Sequence, residues 1–151
     1  MAVLSTDAID DEAALRALTA RFTDAVNRGS PTELGSLFDE QGVWVVPGFG
    51  DTEGPEAIVD LLADLLGGFS FLVQVLHSGV VEVDGDRARA RWYLSEFAVS
   101  DDGRGWHFIG VYQDSHVRKQ GGWLFERRKF DFLYRGPADL SGKHYPFPQI
   151  D

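Results

Sequence analysis

A few side chains in this chain could move a proton or hold a charge, and their spacing suggests where. His77 closes the apolar run Phe71-Leu72-Val73-Gln74-Val75-Leu76-His77, just before Ser78-Gly79. If that run is a strand, alternation places His77 on the same face as Phe71, Val73 and Val75. An imidazole on an apolar face can titrate near neutral pH and move protons. Glu96 stands in a second alternating run. There Ala88, Ala90, Trp92, Leu94, Glu96 and Ala98 share one face, and Arg87, Arg89, Arg91, Tyr93, Ser95 and Phe97 share the other. The arginine side belongs in water or at a partner surface, so the alanine and tryptophan side faces inward and carries Glu96 with it. A carboxylate there needs a partner, or its pKa rises. The alternative is a register shift near the strand end that leaves Glu96 wet.

Arg127 follows Trp123 and Phe125 on one face of the last apolar run, at the edge of the expected core. It is either a fixed positive group for an oxyanion or leaving anion, or half of a salt bridge to one of the 24 acidic residues. His107 shares a face with Ile109, while Trp106, Phe108 and Tyr112 share the other. Both faces are apolar or aromatic, so His107 is a candidate second polar group without an assigned inside. His116 and His144 read as structural or solvated. The four histidines lack metal-ligand spacing. Gly48 to Gly54 has neither dinucleotide-binding nor phosphate-loop spacing, and no Gly-x-Ser-x-Gly elbow occurs. No metal and no cofactor are therefore expected.

Composition narrows the class. A chain of 151 residues with 44% hydrophobic and 13% aromatic content is one globular domain with a single core. The 11 Phe and 4 Trp point to an aromatic core or pocket. A net charge of −10 argues against nucleic acid and, more weakly, against anionic membranes. With no cysteine, there are no disulfides, thiolate metal sites or thiol nucleophile. Neither a signal peptide nor a membrane span is visible, since Ile58 to Leu76 is interrupted by Asp60, Asp64, two glycines and Gln74. A cytoplasmic location is expected.

The elements that must position these side chains follow from periodicity. Leu15, Leu18, Phe22 and Val26 fall on one face of a helix over 10–28, ended by Gly29. Ser30-Pro31-Thr32-Glu33 has the form of a capping box opening a short second helix. Val43 to Val46 reads as a strand, Gly48 to Gly54 as a loop, and Pro55 to Leu66 as a third helix. Four long strands follow over 71–83, 87–99, 105–119 and 122–133, with turns at Asp84-Gly85, Asp101-Asp102-Gly103 and Gln120-Gly121. Gly79 suggests a bulge. The tail, 135–151, reads as irregular. Helices first and an antiparallel meander second make an α+β fold with a curved sheet around a helical layer.

The chain resembles a known family. Leu37-Phe38-Asp39-Glu40-Gln41-Gly42-Val43-Trp44, the helix start Gly54-Pro55-Glu56-Ala57-Ile58, and Gly110-Val111-Tyr112-Gln113-Asp114 through Gly122-Trp123-Leu124-Phe125 look like the SnoaL-like group of the nuclear-transport-factor-2 superfamily. The likeness covers about 10–134. It implies a cone: a strongly bent antiparallel sheet on three N-terminal helices, enclosing a deep apolar pocket. Within the superfamily the chain looks most like the cofactor-free lyases, namely scytalone dehydratase, bile-acid 7α-dehydratases and hexachlorocyclohexane dehydrochlorinase.

The resemblance also implies roles. In those lyases a His on the first long strand removes a proton from carbon, and His77 matches it. An Asp at the end of the first helix orients that His; the matching position here is Asn27, which by sequence alone is a helix-terminal residue ahead of Gly29. A last-strand Arg helps the leaving anion, and Arg127 matches it. The dehydratases' Tyr falls near Val26 and is absent. Asn for Asp is a serious departure, since that exchange in a Ser-His-Asp triad costs about 10⁴ in rate. Three outcomes stay open. Glu96 or Asp24 takes the partner role, or Glu96 is itself the base, as a carboxylate is in ketosteroid isomerase, or the pocket binds without catalysing. Trp44, Trp92, Tyr112, Phe22, Phe125 and His107 are the expected pocket residues. The implied activity is a lyase or isomerase acting on a small apolar cyclic molecule, or else an accessory domain or subunit of the same fold. The implied assembly is a homo-oligomer, trimer or dimer. The tail segment Tyr145-Pro146-Phe147-Pro148 either closes the pocket or reaches a neighbour.

Overall fold

The acidic start and apolar stripe of the first segment form helix α1, Thr6–Arg28, and Gly29 ends it in the left-handed conformation at φ 62°. The computed structural model describes residues 6–150. After α1 come α2 (Pro31–Gly35), β1 (Phe38–Val46), β2 (Gly50–Glu53), α3 (Pro55–Gly67), β3 (Phe69–Asp84), β4 (Arg87–Ser100), β5 (Gly105–Lys119) and β6 (Gly122–Pro137). One six-stranded sheet runs in the order β2-β1-β6-β5-β4-β3. All neighbours are antiparallel except β1 and β6, which are parallel, so the expected antiparallel sheet is in fact mixed. Among the described residues no helix is long and apolar enough to cross a membrane.

Several local expectations need correction. The segment read as a loop, Gly48 to Gly54, contains β2, which turns back on β1 and pairs Trp44 with Thr52. The last strand continues into the segment read as tail, because Arg135 and Gly136 still pair with Phe108 and His107. Ser30 makes no side-chain cap; Glu33, the other half of the expected box, instead lies 2.5 Å from Arg28.

Extra residues in β3 and β6 shape the sheet. In β3 the register with β4 slips between Leu76 and Gly79, so His77 and Ser78 face a single gap. Gly79 sits there because a Cβ would strike Trp92 at 2.2 Å. In β6 the register with β5 slips beside Glu126 and again beside Leu133. Each such bulge bends the strand and flips the parity of everything beyond it. Inward positions on β6 are therefore Trp123 and Phe125, then Arg128 and Phe130, then Arg135.

The concave face and the helices enclose the core. Phe22 of α1 packs edge-on against Trp44, Tyr112 and Phe125, at centroid distances of 5.5, 5.6 and 5.8 Å. Beneath these rings lies Arg128, fully buried at 0% exposure. Its guanidinium carbon is 3.7 Å from the Tyr112 ring centre and 4.2 Å from that of Phe22, and its Nε is 3.3 Å from Asp114 Oδ1. His116 is buried beside them, 3.8 Å from Asp114. Burial, with the Arg128 charge adding to it, pushes the His116 imidazole down to about 3, so it stays neutral.

The buried arginine of the last strand is thus Arg128. Arg127 points outward to Asp51, 3.1 Å away on β2, which is the salt-bridge alternative raised by the sequence. Removing a charge from a buried pair strands its partner and costs about 3–5 kcal/mol, whereas an exposed pair contributes about 0–1 kcal/mol. Urea unfolding is expected to give Arg128→Ala a loss in the first range and Arg127→Ala a loss in the second. Equal losses would contradict this assignment.

Candidate functional site

A cavity of about 470 Å³ opens between α1, α3, the β1–β2 turn and the concave sheet face. Its walls are mostly apolar: Val26 from α1, Trp44 from β1, Leu62 and Leu66 from α3, Leu72 from β3, Phe108 and Tyr112 from β5, and Phe130 from β6. Among the described residues only three lining side chains are strongly polar or charged, namely Gln74, Glu96 and Arg135.

Gln74 and Glu96 form the polar floor. They lie opposite each other in the β3–β4 ladder. Gln74 is 3% exposed, and its Nε2 donates to Glu96 Oε1 at 2.8 Å. Thr23 Oγ1, one α1 turn above, donates to Gln74 Oε1 at 2.9 Å. The amide is thereby oriented, with its oxygen to Thr23 and its nitrogen to the carboxyl. Asn27 fixes the Gln74 backbone from the same helix: its Nδ2 donates to the Gln74 carbonyl at 2.9 Å, and its Oδ1 accepts from the Gln74 amide at 2.7 Å. A primary amide can do both. A carboxylate could only accept and would repel the carbonyl.

Glu96 has no other hydrogen bond from the protein among the described residues, so one carboxyl oxygen is left to the cavity. Burial raises its pKa above the ordinary 4.5, and the Gln74 bond only partly offsets this. Tyr112 beside it has its phenol pushed up as well, above all by burial, and stays a neutral donor. An apolar chamber with one desolvated carboxyl, one oriented amide and one neutral phenol is equipped for proton transfer or for binding a polar group of an otherwise apolar molecule.

The other residues singled out by sequence fall in different places. His77 lies on the outer, convex face, exposed, with its Nε2 2.7 Å from Ser95 Oγ. The alternation that grouped it with Phe71, Val73 and Val75 is correct, but that face points away from the cavity. Hydrophobicity misleads on β3, since Val75 is 40% exposed on the outside while Gln74 occupies the inside. His107 also faces outward and stacks on Phe97 at 4.4 Å. Trp44 and Tyr112 line the cavity. Phe22, Trp92 and Phe125 belong to the packed core instead. Asn27 does not line the cavity but positions Gln74, which does. Glu96 faces inward as the alternation of β4 requires.

Sequence reasoning missed Gln74, Thr23 and Arg135. Pairing counted back from the Asp84-Gly85 turn, with one extra residue at Gly79, puts Gln74 opposite Glu96 and was available in the sequence. Thr23 and Arg135 carried no such signal.

Residues 7–129 match a family model described as SnoaL-like domain. Among curated proteins, none matches the sequence. The fold is similar to that of hexachlorocyclohexane dehydrochlorinase LinA-type3 from Novosphingobium barchaimii, with 21% identity over 94% of this chain and 98% of the other and a TM-score of 0.83. A scytalone dehydratase candidate from Novosphingobium aromaticivorans aligns over 95% of this chain and 97% of its own, at 17% identity and TM-score 0.78. A nuclear-transport-factor-2-like protein from the same organism has 26% identity over 83% of each chain and a TM-score of 0.72.

The Asn27 clamp has a direct test. Losing both amide bonds leaves two partly buried backbone groups unpaired, a cost of about 1–3 kcal/mol. Asn27→Ala is expected to lower stability by that amount and to speed hydrogen exchange at the Gln74 amide. Unchanged protection there would contradict the clamp.

Proposed function

The chain belongs to the SnoaL-like domain family, and on that premise we propose that it is a cofactor-independent lyase or isomerase. Its substrate is a small, largely apolar, cyclic molecule held in the cone cavity, and the group that takes the proton from carbon is Glu96. The observation that carries this reading is a carboxyl, desolvated by apolar walls and tied at one oxygen to Gln74, facing a chamber of small-molecule size. The dehydrochlorinase and dehydratase names of two proteins of similar fold support an elimination or a related proton transfer.

Ionised Glu96, poorly solvated, is a stronger base than a surface carboxylate. Its untied oxygen accepts the substrate proton. The Gln74 amide holds the carboxyl in one orientation, and Thr23 and Asn27 hold Gln74. The neutral Tyr112 phenol is placed to donate to an oxygen on which charge develops. In an isomerase, protonated Glu96 returns the proton to a second carbon; in a lyase, the electron pair of the broken C–H bond forms the new carbon–carbon double bond and the leaving group on the neighbouring carbon departs with the pair of its own bond. This reading places the base on the inner face, at Glu96, and gives His77 and Arg127 no part in the reaction.

A second reading is binding without turnover. It is favoured by one observation: the Gln74 amide engages the very carboxyl that would act. The proposed partners are the same in both cases: a small apolar ligand and further copies of this chain, with neither nucleic acid nor membrane.

The bicyclic ketone 2-tetralone, a neutral carbon acid, separates the two. Exchange of its α-protons in D₂O is followed by proton NMR. The protein is expected to accelerate exchange, Glu96→Gln to lower that acceleration at least about 100-fold, the range of a positioned base, and His77→Ala to stay within about two-fold of the parent. Undiminished exchange in Glu96→Gln would sink the assignment. Bound 2-tetralone exchanging no faster than in buffer would favour the second reading.

A further inference from the structure

Four side chains form one continuous row across the concave face. Gln74 of β3 pairs with Glu96 of β4, Glu96 with Phe108 of β5, and Phe108 with Arg135 of β6. All four line the cavity. Arg135 is in this row only because the extra residue at Leu133 returns β6 to inward parity.

Arg135 also differs from the other arginines of its strand. Arg127 is paired with Asp51 and Arg128 with Asp114. Around Arg135, among the described residues, the contacts are aromatic instead: its guanidinium carbon lies 5.2 Å from the Trp106 ring centre and 5.9 Å from that of Phe132. Rings steady a guanidinium plane without neutralising it. A chain with 24 acidic and 14 basic residues thus has, among the described residues, a cation at its cavity without a carboxylate partner. The polar floor at Glu96 is two strands away, about 10 Å along the backbone at the usual strand spacing, with the Phe108 ring between.

We propose that the ligand of this cavity is a cyclic carboxylic acid, its carboxylate held by Arg135 at the rim, its ring over Phe108, and its reacting carbon at Glu96. The inference rests on the reading of the cavity as a small-molecule site and adds the substrate class. A planar guanidinium meets a carboxylate through two parallel hydrogen bonds, a match that a neutral amide of the same shape lacks. The ring fills the apolar middle, and the acid fixes which carbon reaches the floor.

The test compares 2-naphthoate with 2-naphthamide, near-isosteres that differ in charge, by calorimetric titration of the full chain. At low salt the carboxylate is expected to bind about five- to ten-fold tighter, with the gap shrinking in 0.5 M NaCl as screening requires. Arg135→Gln is expected to abolish the gap while leaving amide affinity within two-fold, and Glu96→Gln to keep or widen it. Equal affinities in the parent, or a gap that survives Arg135→Gln, would overturn the proposal. If the amide binds as well as the acid, the substrate class fails and the small-molecule site stands; if neither binds, both fail.

Discussion

A pleated strand can offer only alternate side chains to a concave face, and any extra residue exchanges the two sets. The rest of this molecule depends on that constraint. On β3, inward parity puts Gln74 against Glu96 and turns His77 out to Ser95. On β6, the slip at Glu126 buries Arg128 under Phe22 and Tyr112 and leaves Arg127 for Asp51. The slip at Leu133 then brings Arg135 back to the cavity. The same bulges bend the strands enough to leave a chamber between sheet and helices. Curvature and site chemistry therefore have a common origin.

Inside the chamber the deciding term is desolvation. The Glu96 carboxyl has exchanged water for apolar walls and one amide bond, a poor exchange for an ion. Its folded-state pKa is raised, so the group binds its proton more tightly folded than unfolded. Folding stability attributable to it is greatest below the ordinary carboxylate pKa and falls as pH rises through the folded value. A residue that weakens the fold when ionised, yet is held in place by Gln74, Thr23 and Asn27, fits a functional role better than a structural one. The buried pair of Arg128 and Asp114 is different, since each partner answers the other's charge and neither faces the cavity.

Much of this was legible in the sequence. The arginine row on β4 identified the outer face, and with it the inward direction of Glu96. Helix α1, its Gly29 end, the four long strands and the bulge at Gly79 followed from periodicity and turn residues. Failures came where hydrophobicity and parity disagree. The outer face of β3 carries Phe71, Val73 and Val75 and so looked like an inside, which assigned His77 to the pocket. On β6 no glycine marks the extra residues at Glu126 and Leu133, so the count ran on unbroken and chose Arg127 over Arg128. The β2 strand hid in a Gly-rich segment because three of its four residues are acidic or Gly, poor strand formers that an edge tolerates.

The central claim is that Glu96 is a desolvated, titratable carboxyl facing an apolar cavity. Carbon-13 NMR of the chain with labelled Glu side chains reads this directly, with Glu96→Gln identifying the resonance. The account predicts a Glu96 midpoint clearly above the ordinary 4.5. A midpoint at or below that value would mean a solvated or ion-paired carboxylate, and would contradict the account.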